Sequence, residues 1–114
     1  MAVDSNEIMS DLVKGMVQLG EETPELSNAF VQMDNAAYIE GELERKYKEL
    51  IGLGIAVAVN CVFCMNIHVK QALNEGATRE EILEAAAVGV AFGGSPAMAH
   101  VATTVLGALD AFED

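Results

Sequence analysis

The chain has 114 residues, of which 52% are apolar, and its 18 acidic and 6 basic residues give a formal net charge of -12. This length is typical of a single domain, here residues 1–114, and the apolar excess excludes a disordered acidic tail. Six scattered basic residues do not form the patch that binds a nucleic-acid backbone, so nucleic acid is not an expected partner.

The apolar fraction is high for a short chain, which has a large surface for its volume. One small monomer has little room to bury so many apolar side chains. We therefore predict a homo-oligomer with an apolar interface, whose acidic residues lie on the outer surface and keep the assembly soluble.

Two segments, residues 50–67 and 85–102, approach the length of a membrane-spanning helix. The first contains Asn60 and both cysteines, the second is interrupted by Gly93–Pro96, and neither has a basic flank. A signal peptide is not expected either, because acidic residues replace its basic region and apolar run (Asp4, Glu7 and Asp11). We expect a cytoplasmic protein with no membrane contact.

Apolar residues recur at spacings of three and four, which predicts an all-α bundle of about six helices. The first helix is expected over residues 4–19 with Asp4 as N-cap, and the second over residues 23–40 with Thr23 as N-cap and Pro24 at its first position. The inward stripe of the second helix is predicted to be Leu26, Phe30, Met33 and Ala37.

The third helix, residues 42–59, begins with charged residues and is apolar on all sides from residue 50 onward, so its second half is expected to be fully buried. Asn60 is predicted to interrupt it, and a fourth helix then ends at Gly76.

A capping box of Thr78 and Glu81 begins the fifth helix, which is expected to end at Gly93-Gly94. Ser95-Pro96 begins the last helix. Its predicted inward stripe is Met98, Val101, Val105, Leu109 and Phe112.

The residues best suited to chemistry form a C-x-x-C-x-x-x-H run of Cys61, Cys64 and His68. On a helix, offsets of three and four place all three on one face. A disulfide between residues three apart requires a helix end or a local distortion, and the expected helix start near Asn60 suits one. The helix N-terminus and a histidine that accepts a proton both favour a thiolate there.

Glu49 lies twelve residues before Cys61, in the helix that leads into the apolar run. A carboxylate there can hold an imidazole in one tautomer and stabilise its charged form. A glutamate on an amphipathic helix is as readily a solvated residue, so the spacing leaves both interpretations open.

These features resemble the alkyl hydroperoxidase D-like branch of the carboxymuconolactone decarboxylase-like proteins. The resemblance covers residues 42–109 and rests on Glu49, the Cys61, Cys64 and His68 run, the stop at Gly76, the Ala-rich helix and the Gly93–Pro96 turn. It implies an all-α oligomer, often a trimer or hexamer. Some peroxidases of the family have a C-x-H-C sequence, whereas this chain has Phe63 before its second cysteine, so the resemblance does not extend to that histidine.

By position, the resemblance implies that Cys64 is the attacking thiol, Cys61 the resolving thiol, His68 the base and Glu49 the outer member of a proton relay. The implied function is a thiol–disulfide oxidoreductase with peroxidase-like, antioxidant activity on a peroxide or a disulfide. It needs no bound organic cofactor, but a separate reductant, which the sequence does not identify, must restore the dithiol. The decarboxylase branch, which generally lacks the cysteine pair, is the alternative enzyme class.

Two plainer interpretations of the cysteines remain open. Both thiols can be core residues, because cysteine behaves as a small hydrophobic side chain. The second interpretation is a structural zinc module, with a Cys2His2 site built from Cys61, Cys64, His68 and His100. We expect His100 instead to cap a helix or to line a cavity.

Overall fold

Every regular element in the described part of the chain is a helix. A computed structural model describes residues 4–114, so the first three residues of the predicted domain lie outside the described range. The elements are α1 (Ser5–Glu22), α2 (Pro24–Tyr38), α3 (Arg45–Ala58), α4 (Val62–Asn74), α5 (Arg79–His100), a π-helical segment (Val101–Val105) and α6 (Leu106–Phe112). Residues 4–114 contain no strand. The predicted all-α fold is confirmed.

Most helix ends follow the capping signals in the sequence. Asp4 accepts hydrogen bonds from two backbone N–H groups at the start of α1, and Thr78 and Glu81 form a reciprocal capping box at the start of α5. Thr23 differs from the prediction, because its hydroxyl donates to the carbonyl of Leu19 at 2.8 Å. This hydrogen bond satisfies a carbonyl in the last turn of α1, and the Thr23 side chain makes no capping hydrogen bond to α2.

Three residues with positive φ lie at the predicted interruptions: Asn60 at 60°, Gly76 at 89° and Gly94 at 69°. Gly94 also has a ψ of -148°, a backbone conformation that glycine alone adopts readily. Its backbone is not helical, and two helices meet there at a kink, so α5 consists of two helical parts on either side of Gly94. The predicted end of the fifth helix at Gly93-Gly94 coincides with this kink, and the helix predicted to follow it is interrupted by the π-helical segment.

The core lies where α3 packs against α4 and α5, with α6 closing one side. Its fully buried larger apolar side chains are Leu53, Val57, Met65, Val69, Ile82, Val105 and Leu109. Burying one such side chain contributes about 1.5–3 kcal/mol to stability. Because α3 and α4 both belong to this core, side chains between them are held in fixed positions.

Two predicted inward faces, and one residue of a third, are exposed in the single chain. The second half of α3 is buried on one side only, and its other side exposes Ile51, Ile55 and Val59. The predicted stripe of α2 is exposed throughout, and Met98 is 57% exposed. Periodicity identifies an apolar face but does not identify what covers it, and in the single chain these faces have no cover.

Within the described chain, one helical stretch, Arg79–Phe112, is long and apolar enough to cross a membrane by length and composition. The core helix of a soluble protein meets the same test. Here the stretch bends at Gly94 and supplies Ile82, Ala86, Ala97, Val105 and Leu109 to the core. These five side chains belong to the protein core.

Candidate redox site

The two cysteines lie at the start of α4 and form a disulfide. Cys61 is the N-cap residue in extended conformation and Cys64 lies in the first turn, with their Cα atoms 5.2 Å apart. The backbone N–H of Cys64 donates to Sγ of Cys61 at 3.2 Å. Both residues are half-buried. The two cysteines are therefore a disulfide-bonded pair at the start of a helix, and not two separate side chains packed in the core.

His68 follows Cys64 by one helical turn, on the same face of α4. Its Nδ1 lies 2.8 Å from Oε1 of Glu49, which projects from α3. The Glu49 side chain is 0% exposed, so it is not a solvated residue. A carboxylate accepts the Nδ1–H bond, which leaves Nε2 as the acceptor of the neutral ring.

Two further side chains contact the buried carboxylate of Glu49. With its amide nitrogen facing the carboxylate, Gln71 of α4 donates to Oε1 at 2.9 Å and to Oε2 at 3.0 Å. The guanidinium of Arg45, one turn earlier on α3, lies 4.0 Å from Oε2. These donors offset part of the cost of burying a charge.

Tyr38, the last residue of α2, contacts the other side of His68. Its hydroxyl lies 3.3 Å from Nε2, and the two rings stack with their centroids 5.3 Å apart. Partial burial raises the pKa of Tyr38, and the negative charges of Glu49 and Asp34 raise it further. The hydroxyl therefore keeps its proton at neutral pH and can donate it to a hydrogen bond.

Two features of α3 fix Tyr38 in this place. The Nζ of Lys48 donates to the carbonyls of Ala37 at 3.0 Å and Ile39 at 2.6 Å, on either side of Tyr38. Gly52 supplies the space, because a Cβ there would lie 2.5 Å from the Tyr38 hydroxyl oxygen and 2.9 Å from Cε1 of His68. The end of α2 is thus held against the histidine.

The zinc arrangement considered from the sequence is not formed. Among residues 4–114, no group of three His, Cys, Asp or Glu side chains is placed to hold a metal ion. His100 is half-buried at the end of α5, where the helical backbone continues directly into the π-helical segment.

The structure thus brings the four predicted residues into two bonded pairs, Cys61 with Cys64 and Glu49 with His68. Sequence reasoning missed Gln71 and Tyr38. Gln71 had a usable signal, since it lies three residues after His68 and so on the same helix face. Tyr38 had none, because it lies thirty residues before the histidine and meets it only through packing.

The sequence profile of the carboxymuconolactone decarboxylase family matches residues 24–106, a span that contains every residue of this site. The chain belongs to the carboxymuconolactone decarboxylase family. A relative encoded in the cox locus of Paracoccus denitrificans is 34% identical over 100 residues, which are 85% of this chain and 89% of that one. A relative from Cupriavidus necator is 33% identical over 96 residues, 84% of this chain and 85% of that one.

Two solved structures of carboxymuconolactone decarboxylase family proteins share the fold. One, from Legionella pneumophila, is 35% identical with a TM-score of 0.84 and covers 96% of this chain and 94% of its own. The other, from Thermotoga maritima, is 29% identical with a TM-score of 0.80, and the match covers 91% of this chain and 87% of that one. For the Thermotoga protein, involvement in an antioxidative response has been suggested.

Proposed function

We propose that the chain is a thiol–disulfide oxidoreductase with peroxidase-like, antioxidant activity. The observation that carries this proposal is the Cys61–Cys64 disulfide at the start of the helix whose next turn bears His68, itself hydrogen-bonded to the fully buried Glu49. Paired cysteines at a helix N-terminus beside a histidine are suited to form a reactive thiolate. The antioxidative response suggested for the Thermotoga relative supports the same interpretation.

In the proposed reaction with a hydroperoxide, Cys64 is the attacking residue. His68 takes the thiol proton, and the thiolate attacks the distal oxygen of the peroxide. The S–O bond forms as the O–O bond breaks, which gives a sulfenic acid, and the departing alkoxide or hydroxide takes the proton back from His68 and leaves as an alcohol or water. The thiol of Cys61 then attacks the sulfenic sulfur. A disulfide forms and one water leaves, so two thiols have been oxidised and one peroxide reduced.

Glu49 and His68 serve the proton movements of both steps. The carboxylate holds Nδ1–H, fixes the ring orientation and stabilises the imidazolium that forms when Nε2 takes a proton. An external dithiol then reduces the disulfide by thiol–disulfide exchange and leaves as its own disulfide. A cytoplasmic location and assembly as a trimer or hexamer belong to the same proposal.

Thiol counting tests the function directly. The fully reduced protein, with its two thiols per chain, is treated with one equivalent of hydrogen peroxide or an organic hydroperoxide. We expect both thiols to disappear without crosslinks between chains, with one peroxide consumed per disulfide. Cys61→Ser should stop at a sulfenic acid. Unreacted peroxide, or protected thiols with one bound zinc per chain, would contradict the proposal.

A further inference from the structure

The hydroxyl of Tyr38 occupies the one ring nitrogen of His68 that Glu49 leaves free. Because the carboxylate accepts the Nδ1–H bond, Nε2 is the acceptor of the neutral ring, and Tyr38 is the donor to it. The histidine side chain is only 14% exposed, so water has little access to replace this donor. The disulfide state thus has a complete hydrogen-bond chain from Tyr38 through His68 to Glu49.

In the proposed function, the reduced state needs the same nitrogen. In the disulfide, the sulfur of Cys64 carries no proton and cannot donate to His68. After reduction, Cys64 has a thiol proton one turn from His68 on the same helix face. A neutral imidazole nitrogen has one lone pair, so the hydroxyl of Tyr38 and the thiol of Cys64 compete for Nε2.

We propose that Tyr38 is a positioning residue that stabilises the disulfide state, by supplying to His68 the hydrogen bond that the Cys64 thiol supplies in the reduced state. This inference rests on the proposed function in one respect, since it takes His68 as the base of Cys64. It extends that function by assigning to the end of α2 a part in setting how readily the cysteine pair is reduced.

The arrangement around Tyr38 is built for this contact. Lys48 anchors the two carbonyls that flank Tyr38, and Gly52 leaves room for both rings. A tyrosine that only filled space would not require both an anchored backbone and an absent Cβ beneath its hydroxyl. These features hold the hydroxyl near Nε2 whatever partner the rest of α2 meets.

The test is the equilibrium of the cysteine pair with dithiothreitol. Dithiothreitol gives two electrons and two protons to the disulfide and becomes its own cyclic disulfide, and the protein gains two thiols. Tyr38→Phe removes only the hydroxyl, and it leaves Nε2 without a donor in the oxidised state. We expect the equilibrium constant for reduction to rise by about two- to tenfold, the effect of one hydrogen bond.

Tyr47→Phe is the matched control, since Tyr47 is the only other tyrosine in the chain and is 44% exposed. It should leave the equilibrium constant unchanged. An unchanged constant in Tyr38→Phe, or a shift toward the disulfide, would overturn the proposal. Circular dichroism establishes that both variants are folded.

A second measurement needs no substitution. The ¹⁵N resonance of His68 Nε2 in the wild-type chain should change when the disulfide is reduced, because its donor changes from a hydroxyl to a thiol. A resonance that is the same in both states would count against the exchange of partners. Neither measurement uses peroxide turnover. A chain that fails to reduce peroxides would disprove the proposed function, and these two measurements would still test the role of Tyr38.

Discussion

At the scale of single residues, the burial of Glu49 gives the site its electrostatic character. A carboxylate with no solvent contact is stabilised by the groups that touch it, here His68, Gln71 and the more distant Arg45. In turn it accepts the hydrogen bond of Nδ1–H and fixes the orientation of the imidazole ring. Replacing the Glu49 carboxylate should therefore change reaction rates more than it changes folding stability.

Glu49→Gln should lower peroxide turnover while the protein stays folded. The amide oxygen can still accept from Nδ1–H, but the negative charge that stabilises the imidazolium is gone. Positioned acid–base groups contribute about 10²- to 10⁴-fold to rates, and we expect a loss in that range. Steady-state kinetics and thermal unfolding measure the two effects. Glu42→Gln, at an exposed position, is the control, and an equal rate in both variants would remove Glu49 from the relay.

The choice of attacking thiol depends on two competing effects. Cys61 accepts a backbone N–H from Cys64 and lies at the helix N-terminus, a position worth about 0.3–1 kcal/mol to a negative charge. Cys64 lies one turn from His68, and an imidazolium about 4 Å from a thiolate attracts it by about 4 kcal/mol at an effective dielectric constant near 20. The attraction to the imidazolium is the larger of the two effects, even after the cost of desolvating both charges is subtracted.

Limiting alkylation of the reduced protein should therefore label Cys64 first. In His68→Ala the pH dependence of this labelling should move upward, toward the pKa of about 8.5 of a free thiol. Peptide mass spectrometry identifies the labelled residue. If Cys61 is labelled first in the wild-type chain, the helix terminus and not the histidine sets the reactivity.

The cysteines and the histidine could be predicted because they lie on one helix, where fixed offsets determine which side chains share a face. Glu49 could be proposed but not established, since its approach to His68 depends on how α3 packs against α4. Tyr38 could not be predicted. Its position follows from Lys48 and Gly52 of α3, and no local pattern connects them to the end of α2.

At the scale of elements, close packing of α3 against its neighbours depends on small residues. Gly52 admits Tyr38 and His68, and Gly89 of α5 lies so close to α3 that an added Cβ would overlap the carbonyl of Gly54. The apolar pattern predicted these helices, and the capping residues predicted most of their ends. Which face of α3 is covered within one chain depends on these contacts, and so its second half is buried on one side only in the single chain.

Gly52→Ala should destabilise the fold and displace Tyr38. Overpacking of a tight contact costs about 1–3 kcal/mol, which outweighs the gain in helix propensity from alanine. Gly15→Ala is the matched control, because a Cβ on this α1 glycine would meet nothing within 4 Å, and it should stabilise the chain by about 0.5–1 kcal/mol. Urea unfolding of both variants measures the difference. Equal stabilisation of both would show that Tyr38 and His68 move aside without cost.

At the scale of the whole molecule, two large apolar faces of residues 4–114 lie uncovered in the single chain. One is a groove of about 690 Å³ between α3 and α5, whose lining includes Ile51, Ile55, Val88 and Phe92. The other is the exposed stripe of α2. Phe92 is 86% exposed, an unfavourable place for an aromatic ring in water. Two separate faces can bury each other head-to-tail, and such contacts form a ring when the rotation between subunits closes, whereas a symmetric dimer uses one face.

We therefore expect an oligomer larger than a dimer, a trimer or a hexamer, at micromolar concentration. Light scattering after size exclusion measures its mass against the 12.1 kDa of one chain. Phe92→Glu should lower the mass, because it buries a charge in the predicted interface, whereas Phe92→Leu keeps an apolar side chain and should preserve the assembly. Because the net charge of -12 repels neighbouring subunits, added salt should stabilise the oligomer. A wild-type mass near that of one chain would contradict both the composition argument and this role of the groove.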